Sequence, residues 1–114
     1  MSKERNRLYE GMYIINASLS EDARNKALKK ITDAIEEKKG KIHKIHEMGK
    51  RKLAYEIDKK REGFYYLIYF TLSSLLIDEI WKEYHLHEDI IRFTTLKAND
   101  VKETLEFKPL IKEK

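Results

Sequence analysis

Three adjacent cations, Lys50-Arg51-Lys52, stand directly before an alternating run, Leu53-Ala54-Tyr55-Glu56-Ile57. As a strand, Leu53, Tyr55 and Ile57 share one face. Lys and Arg are almost never fully buried without partners, so the cluster reads as a fixed cationic edge offered to something anionic. The plainer reading is a solvated strand edge, kept soluble by Lys. His43-x-x-His46 and His85-x-His87 carry the other chemistry worth weighing. Three apart on a strand, His43 and His46 point oppositely unless a bulge intervenes, and without Cys or organised carboxylates they make a poor metal set. Asp78, Glu79 and Glu83 suit a solvated helix face better than a general acid–base pair. No phosphate-cradling Gly loop, nucleophile elbow, kinase fingerprint or dehydrogenase fingerprint is present. The residues therefore read as those of a non-enzyme, with no cofactor, no metal and no small-molecule substrate.

At 114 residues the chain has room for one domain and one core. It contains no Cys, so disulfides and thiol chemistry are not expected. No apolar run approaches a membrane span, and the charged start, Met1 to Arg7, lacks a signal-peptide pattern. A soluble cytoplasmic protein without membrane contact is the expectation. Net charge is only +4, but it is segregated. Residues 38–61 hold ten Lys/Arg against three acids, whereas residues 62–91 hold one Lys against six acids. One end of the domain should be basic, and a concentrated field of that kind steers a polyanion.

The elements that must position these groups follow in order. Leu8 to Ile15 reads as a strand with apolar residues on both faces, which suits a central position. Ser20 caps a helix whose apolar stripe is Ala27, Leu28, Ile31, Ala34 and Ile35, with Gly40 as its left-handed stop. Lys41 to Met48 looks like strand, yet Ile42 and Ile45 are three apart, so a bulge is expected, with a second irregularity at Gly49. Asp58 to Gly63 reads as a hairpin turn closed by glycine. The second arm, Phe64 to Thr71, is apolar on both faces: Phe64, Tyr66, Ile68 and Phe70 form one row, and Tyr65, Leu67 and Tyr69 the other. Ser73-Ser74 caps a second helix striped by Ile77, Ile80, Trp81 and Tyr84, and Ile90 to Leu96 is the last strand.

Strand, helix, strand, strand, helix, strand implies the ferredoxin-like split βαβ architecture, an α+β fold with a four-stranded antiparallel sheet and both helices on one face. Residues 1–97 are expected to form that single domain, and residues 98–114 a C-terminal tail. With helices covering only one face, the Tyr65, Leu67, Tyr69 row should be exposed and available to a partner. Such a row could also stack bases, but the Lys/Arg-Gly-Phe/Tyr signature of RNA-recognition sheets is missing, so a protein partner is preferred.

The chain also resembles the bacterial small-subunit ribosomal protein S-six family over roughly residues 8–97. Tyr9-Glu10, the run from Gly49-Lys50-Arg51 to Ile57, Gly63-Phe64-Tyr65 and Ile91-Arg92-Phe93 carry the likeness, in order and spacing. The chain has Met48 where the family often has Trp, and Glu56 where it often has Pro; neither change touches a basic position. The resemblance implies a structural protein that binds the central domain of small-subunit rRNA together with ribosomal protein S-eighteen, using sheet face and tail. On that footing Lys50, Arg51 and Lys52 are the first candidates for phosphate contact, Arg51 bidentately. Arg7, Arg92 and Lys97 would join them if neighbouring strand ends make one patch. Tyr65, Leu67, Tyr69, Leu105 and Phe107 are the candidates for the protein partner. A ferredoxin-like interaction or regulatory module would share the fold without needing the three cations, and an acylphosphatase-like hydrolase would need an anion loop with paired Arg and Asn that is not found.

Overall fold

In the computed structural model the described residues are 6–57 and 60–102. Their elements are β1 (Asn6–Asn16), α1 (Glu21–Glu37), β2 (Lys41–Ile57), β3 (Lys60–Ser73), α2 (Ile77–His85) and β4 (Ile90–Lys97). The sheet order is β2-β3-β1-β4, every neighbouring pair antiparallel. This is the split βαβ topology expected from the element order. The two halves meet through the central pair β1 and β3, leaving β2 and β4 as edges.

Both helices lie on one face because each has a single apolar stripe to bury. Ala27, Ile31, Ala34 and Ile35 of α1 and Ile80 and Tyr84 of α2 pack on Tyr9, Tyr13 and Ile15 of β1 and on Tyr66, Ile68, Phe70 and Leu72 of β3. The α1 start is capped by Ser20, whose hydroxyl accepts from the Ala23 amide at 3.2 Å. The left-handed residue at its end is Lys39, φ 67°, rather than Gly40. Gly40 is needed for space: a Cβ there would stand 2.8 Å from the Thr71 carbonyl oxygen of β3. Ser73 does cap, but it caps a single 3-10 turn, Ser74–Leu76, that leads into α2.

The register of β2 departs from regular pairing where expected. It shifts between Ile42 and Lys44, so His43 is the extra residue, and both Ile42 and Ile45 pack against the core. It shifts again between Glu47 and Gly49, and Gly49 has φ 86°. Two bulges in a long edge strand with several Lys also protect that edge from pairing with another chain. The hairpin differs from expectation. Ile57 already pairs with Lys60, so β3 begins well before Gly63; Asp58 and Lys59 lie outside the described residues. Gly63 is inside β3, paired with both Arg51 and Asn16. Its missing side chain makes room for Ile14, whose Cγ2 a Cβ at Gly63 would overlap.

Candidate nucleic-acid interface

Because cross-strand partners share a face, the register fixes where each cation points. Lys50 pairs with Phe64, a core-side residue, and Lys52 pairs with Glu62; both therefore stand on the helix side of β2. Lys50 Nζ lies 4.0 Å from a Glu62 carboxylate oxygen, both side chains remaining largely in solvent. Arg51 pairs with Gly63 and points to the opposite, open face. The cationic triplet is thus split across both faces of the outer edge of the sheet. Arg24, which sequence reasoning did not single out, adds to the helix side from α1. Its guanidinium lies 3.9 Å above the Phe64 ring, and its nearness to the Tyr66 phenol opposes the rise that burial imposes on that group.

On the open face one row crosses all four strands: Arg92, Ile14, Tyr65 and Gly49. Arg51 sits beside this row, two β3 positions from Tyr65 through its partner Gly63. The Arg51 Nε donates to the Met48 carbonyl at 3.1 Å, which fixes the guanidinium against the bulge. Burial raises the Tyr65 phenol above its usual range, while the charges of Arg92 and Arg51 oppose that rise. The two arginines therefore flank Tyr65 closely enough to act on it electrically. Of the six candidate cations, Lys50, Arg51, Lys52 and Arg92 gather at this end of the sheet.

Arg7 and Lys97 do not join them. Arg7 pairs with Leu72 and Lys97 with Tyr9, at the far end of β1. Arg7 is seven residues from Ile14, roughly 24 Å at strand rise. The expectation that neighbouring strand ends would merge all six fails because Arg92 is near the start of β4 and Lys97 is at its end.

The expected exposed row is also divided. Tyr65 is half-buried, but Leu67 is 7% exposed and Tyr69 only 1%. The open face is not bare around Tyr69. After β4 the Ala98 amide donates to the Leu8 carbonyl at 2.9 Å, and the chain turns back over the sheet. His46 Nε2 donates to the Lys102 carbonyl at 2.7 Å, and the His46 ring meets the Tyr69 ring edge-on at 6.0 Å. Burial, together with Glu10 and Asp100, pushes the Tyr69 phenol up, and a backbone hydrogen bond at Lys102 partly offsets this. Sequence reasoning missed this cover because two helices in a small domain leave one face open, and it counted only helices. Leu105 and Phe107 lie outside the described residues.

The histidines are engaged singly. His43 Nε2 hydrogen-bonds the Thr71 hydroxyl at 2.6 Å, and the bulge at His43 puts it and His46 on the same face. Among the described residues no three His, Cys, Asp or Glu are grouped to hold a metal. A recess of about 620 Å³ between α2 and β4 is lined by Trp81, His85, Phe93 and Leu96, among others. It brings no acid–base pair together, and Trp81 Nε1 is bonded to the Thr95 hydroxyl at 3.1 Å. Among the described residues no helix is long and apolar enough to cross a membrane.

With this geometry in place, comparison with known proteins is informative. A family model described as Ribosomal protein S6 matches residues 8–97. The small ribosomal subunit protein bS6 of Protochlamydia amoebophila is 56% identical over 110 residues, covering 96% of each chain. That of Chlamydia pneumoniae is also 56% identical, covering 96% of this chain and 98% of its own. Among solved structures, the 30S ribosomal protein S6 of Thermotoga maritima superposes with a TM-score of 0.77 at 39% identity, covering 82% of this chain and 88% of that one.

Proposed function

The chain belongs to the ribosomal protein S6 family of the small ribosomal subunit, and from that premise we propose that it binds small-subunit rRNA through the basic end of its sheet. The observation that carries this reading is the placement of Lys50, Arg51 and Lys52 on both faces of the β2 edge, with Arg92 of the opposite edge strand β4 at the same end of the sheet. Cations on two faces of one edge suit a bent or grooved phosphate backbone, where each side meets a different strand of phosphates. A regulatory module of the same fold has no use for that convergence. The role is structural: positioning and charge neutralisation, with no catalytic step.

The likeness noted in the sequence also supports ribosomal protein S-eighteen as the protein partner and the central domain of the rRNA as the site. The surface for such a partner is the part of the open face around Tyr69 together with the chain that follows β4, since Tyr69 is already packed against residues near Lys102. A partner would meet the composite of sheet and tail rather than a bare aromatic row.

The test is incorporation into small subunits assembled from purified rRNA and proteins. Exchanging Lys50, Arg51 and Lys52 together for Glu should reduce incorporation while leaving the melting transition intact. Undiminished incorporation over a range of salt would refute the reading.

A further inference from the structure

We infer that Tyr65 is a stacking platform for one unpaired RNA base, held between the Arg51 and Arg92 guanidiniums at the basic end of the open face. The inference rests on the RNA-binding reading above and names the part of the nucleic acid that this site takes. Three features of the site carry it.

First, Tyr65 is set apart from the rest of its row. Leu67 and Tyr69 are buried, Tyr69 beneath the returning chain, whereas Tyr65 is only half-buried. Second, the ground beside it is open. Its partner on β2 is Gly49, where an added Cβ would meet nothing within 4 Å. Its neighbour on β1, Ile14, is buried and packs beside it. A flat base laid against the phenol ring would therefore meet an aromatic face without displacing a side chain at Gly49. Third, the charge is of the right sign on both flanks. Arg92 stands in the same cross-strand row and Arg51 beside it, so the phosphates on either side of the base would each find a cation.

A protein segment is the other occupant such a patch could take. Two arginines around one aromatic favour an anionic ligand over the basic surface of a ribosomal partner, since like charges across an interface cost affinity. Stacking on an aromatic is also tolerant of base identity, because every base has a π-face. That explains why the site needs no signature beyond the ring and its two cations.

The test uses the full chain with protein S-eighteen and a transcript of the small-subunit rRNA central domain. Tyr65→Phe keeps the ring, Tyr65→Leu keeps apolar area without it, and Tyr65→Ala removes both. Loss of one stacked base corresponds to roughly a 5- to 150-fold fall in affinity. The Ala and Leu variants should both fall in that range and the Phe variant should stay within about threefold of the parent, each with an unchanged melting curve. Affinity for S-eighteen in the absence of RNA should not move. Rescue by Leu, or a loss confined to S-eighteen binding, would overturn the stacking role. The triple Glu exchange at residues 50–52 separates the two levels. If it weakens RNA binding while Tyr65→Ala does not, only the stacking inference fails; if neither does, the RNA-binding reading fails as well.

Discussion

The most heavily constrained polar contact in the core joins Tyr13 of β1 to Tyr84 of α2. Their hydroxyls are 2.9 Å apart, the rings meet edge-on at 5.3 Å, and the residues are 0% and 1% exposed. Tyr84 in turn meets Phe93 of β4 edge-on at 5.0 Å, so the pair also holds α2 over the strand that carries Arg92. Exchanging either tyrosine for Phe removes one hydroxyl and strands the other without a partner in a site that excludes water. That should cost about 1–3 kcal/mol for each single change, whereas the double Phe variant leaves no orphan and should cost less than the sum. At roughly 4 °C per kcal/mol for a domain of this size, each single variant should melt about 4–12 °C lower. Urea titration of the four proteins gives the coupling directly. Strictly additive losses, or single losses below about 0.5 kcal/mol, would show that the hydroxyls are satisfied some other way. The same pair predicts an alkaline limit. Both phenols titrate from a reference of 10.0, and burial is the largest cause raising each of them in the folded chain. Their contribution is therefore complete below pH 10 and is lost as pH climbs above it, because the unfolded chain releases protons that the folded chain retains. The double Phe variant should lose less stability between pH 9 and 11 than the parent.

Two further outcomes follow from the geometry. Gly63→Ala forces a Cβ into Ile14 and should cost about 1–3 kcal/mol in a urea titration; combined with Ile14→Ala the loss should be less than additive, and full additivity would contradict the close approach. His46→Ala removes the bond to the Lys102 carbonyl and should raise amide hydrogen exchange at residues 98–102 and increase the solvent accessibility of Tyr69, with β1 and β3 still protected; unchanged exchange would show that the segment is held without His46.

The fold was legible because its signals are local and mutually consistent. Ser20 and the apolar stripe from Ala27 to Ile35 define α1, and the three-residue spacing of Ile42 and Ile45 marks the bulge that lets both reach the core. The misplacements share one cause: a glycine or cap was assigned to its commonest local use. Gly63 and Gly40 are required by tertiary close approach, to Ile14 in one case and to the Thr71 carbonyl in the other, and nothing in their immediate neighbours announces that. For the site, a triplet of cations is visible in sequence, but the face each one takes depends on register. Register placed Arg51 with Arg92 and Tyr65, sent Lys50 and Lys52 to the helix side, and left Arg7 and Lys97 at the far end. The covering of Tyr69 depends on long-range contacts such as that between His46 and Lys102, which have no periodic signature at all.

If the basic end of the sheet neutralises rRNA phosphates, the salt dependence of binding counts the phosphates it meets. Each phosphate contact contributes about 0.7–0.9 to the slope of log affinity against log salt. Replacing Lys50, Arg51 and Lys52 by Gln, which removes charge without reversing it, should therefore flatten the slope by roughly 2–3 relative to the parent chain. A Gln variant that binds the central-domain transcript with the parent's slope would show that these cations are only a solvated strand edge.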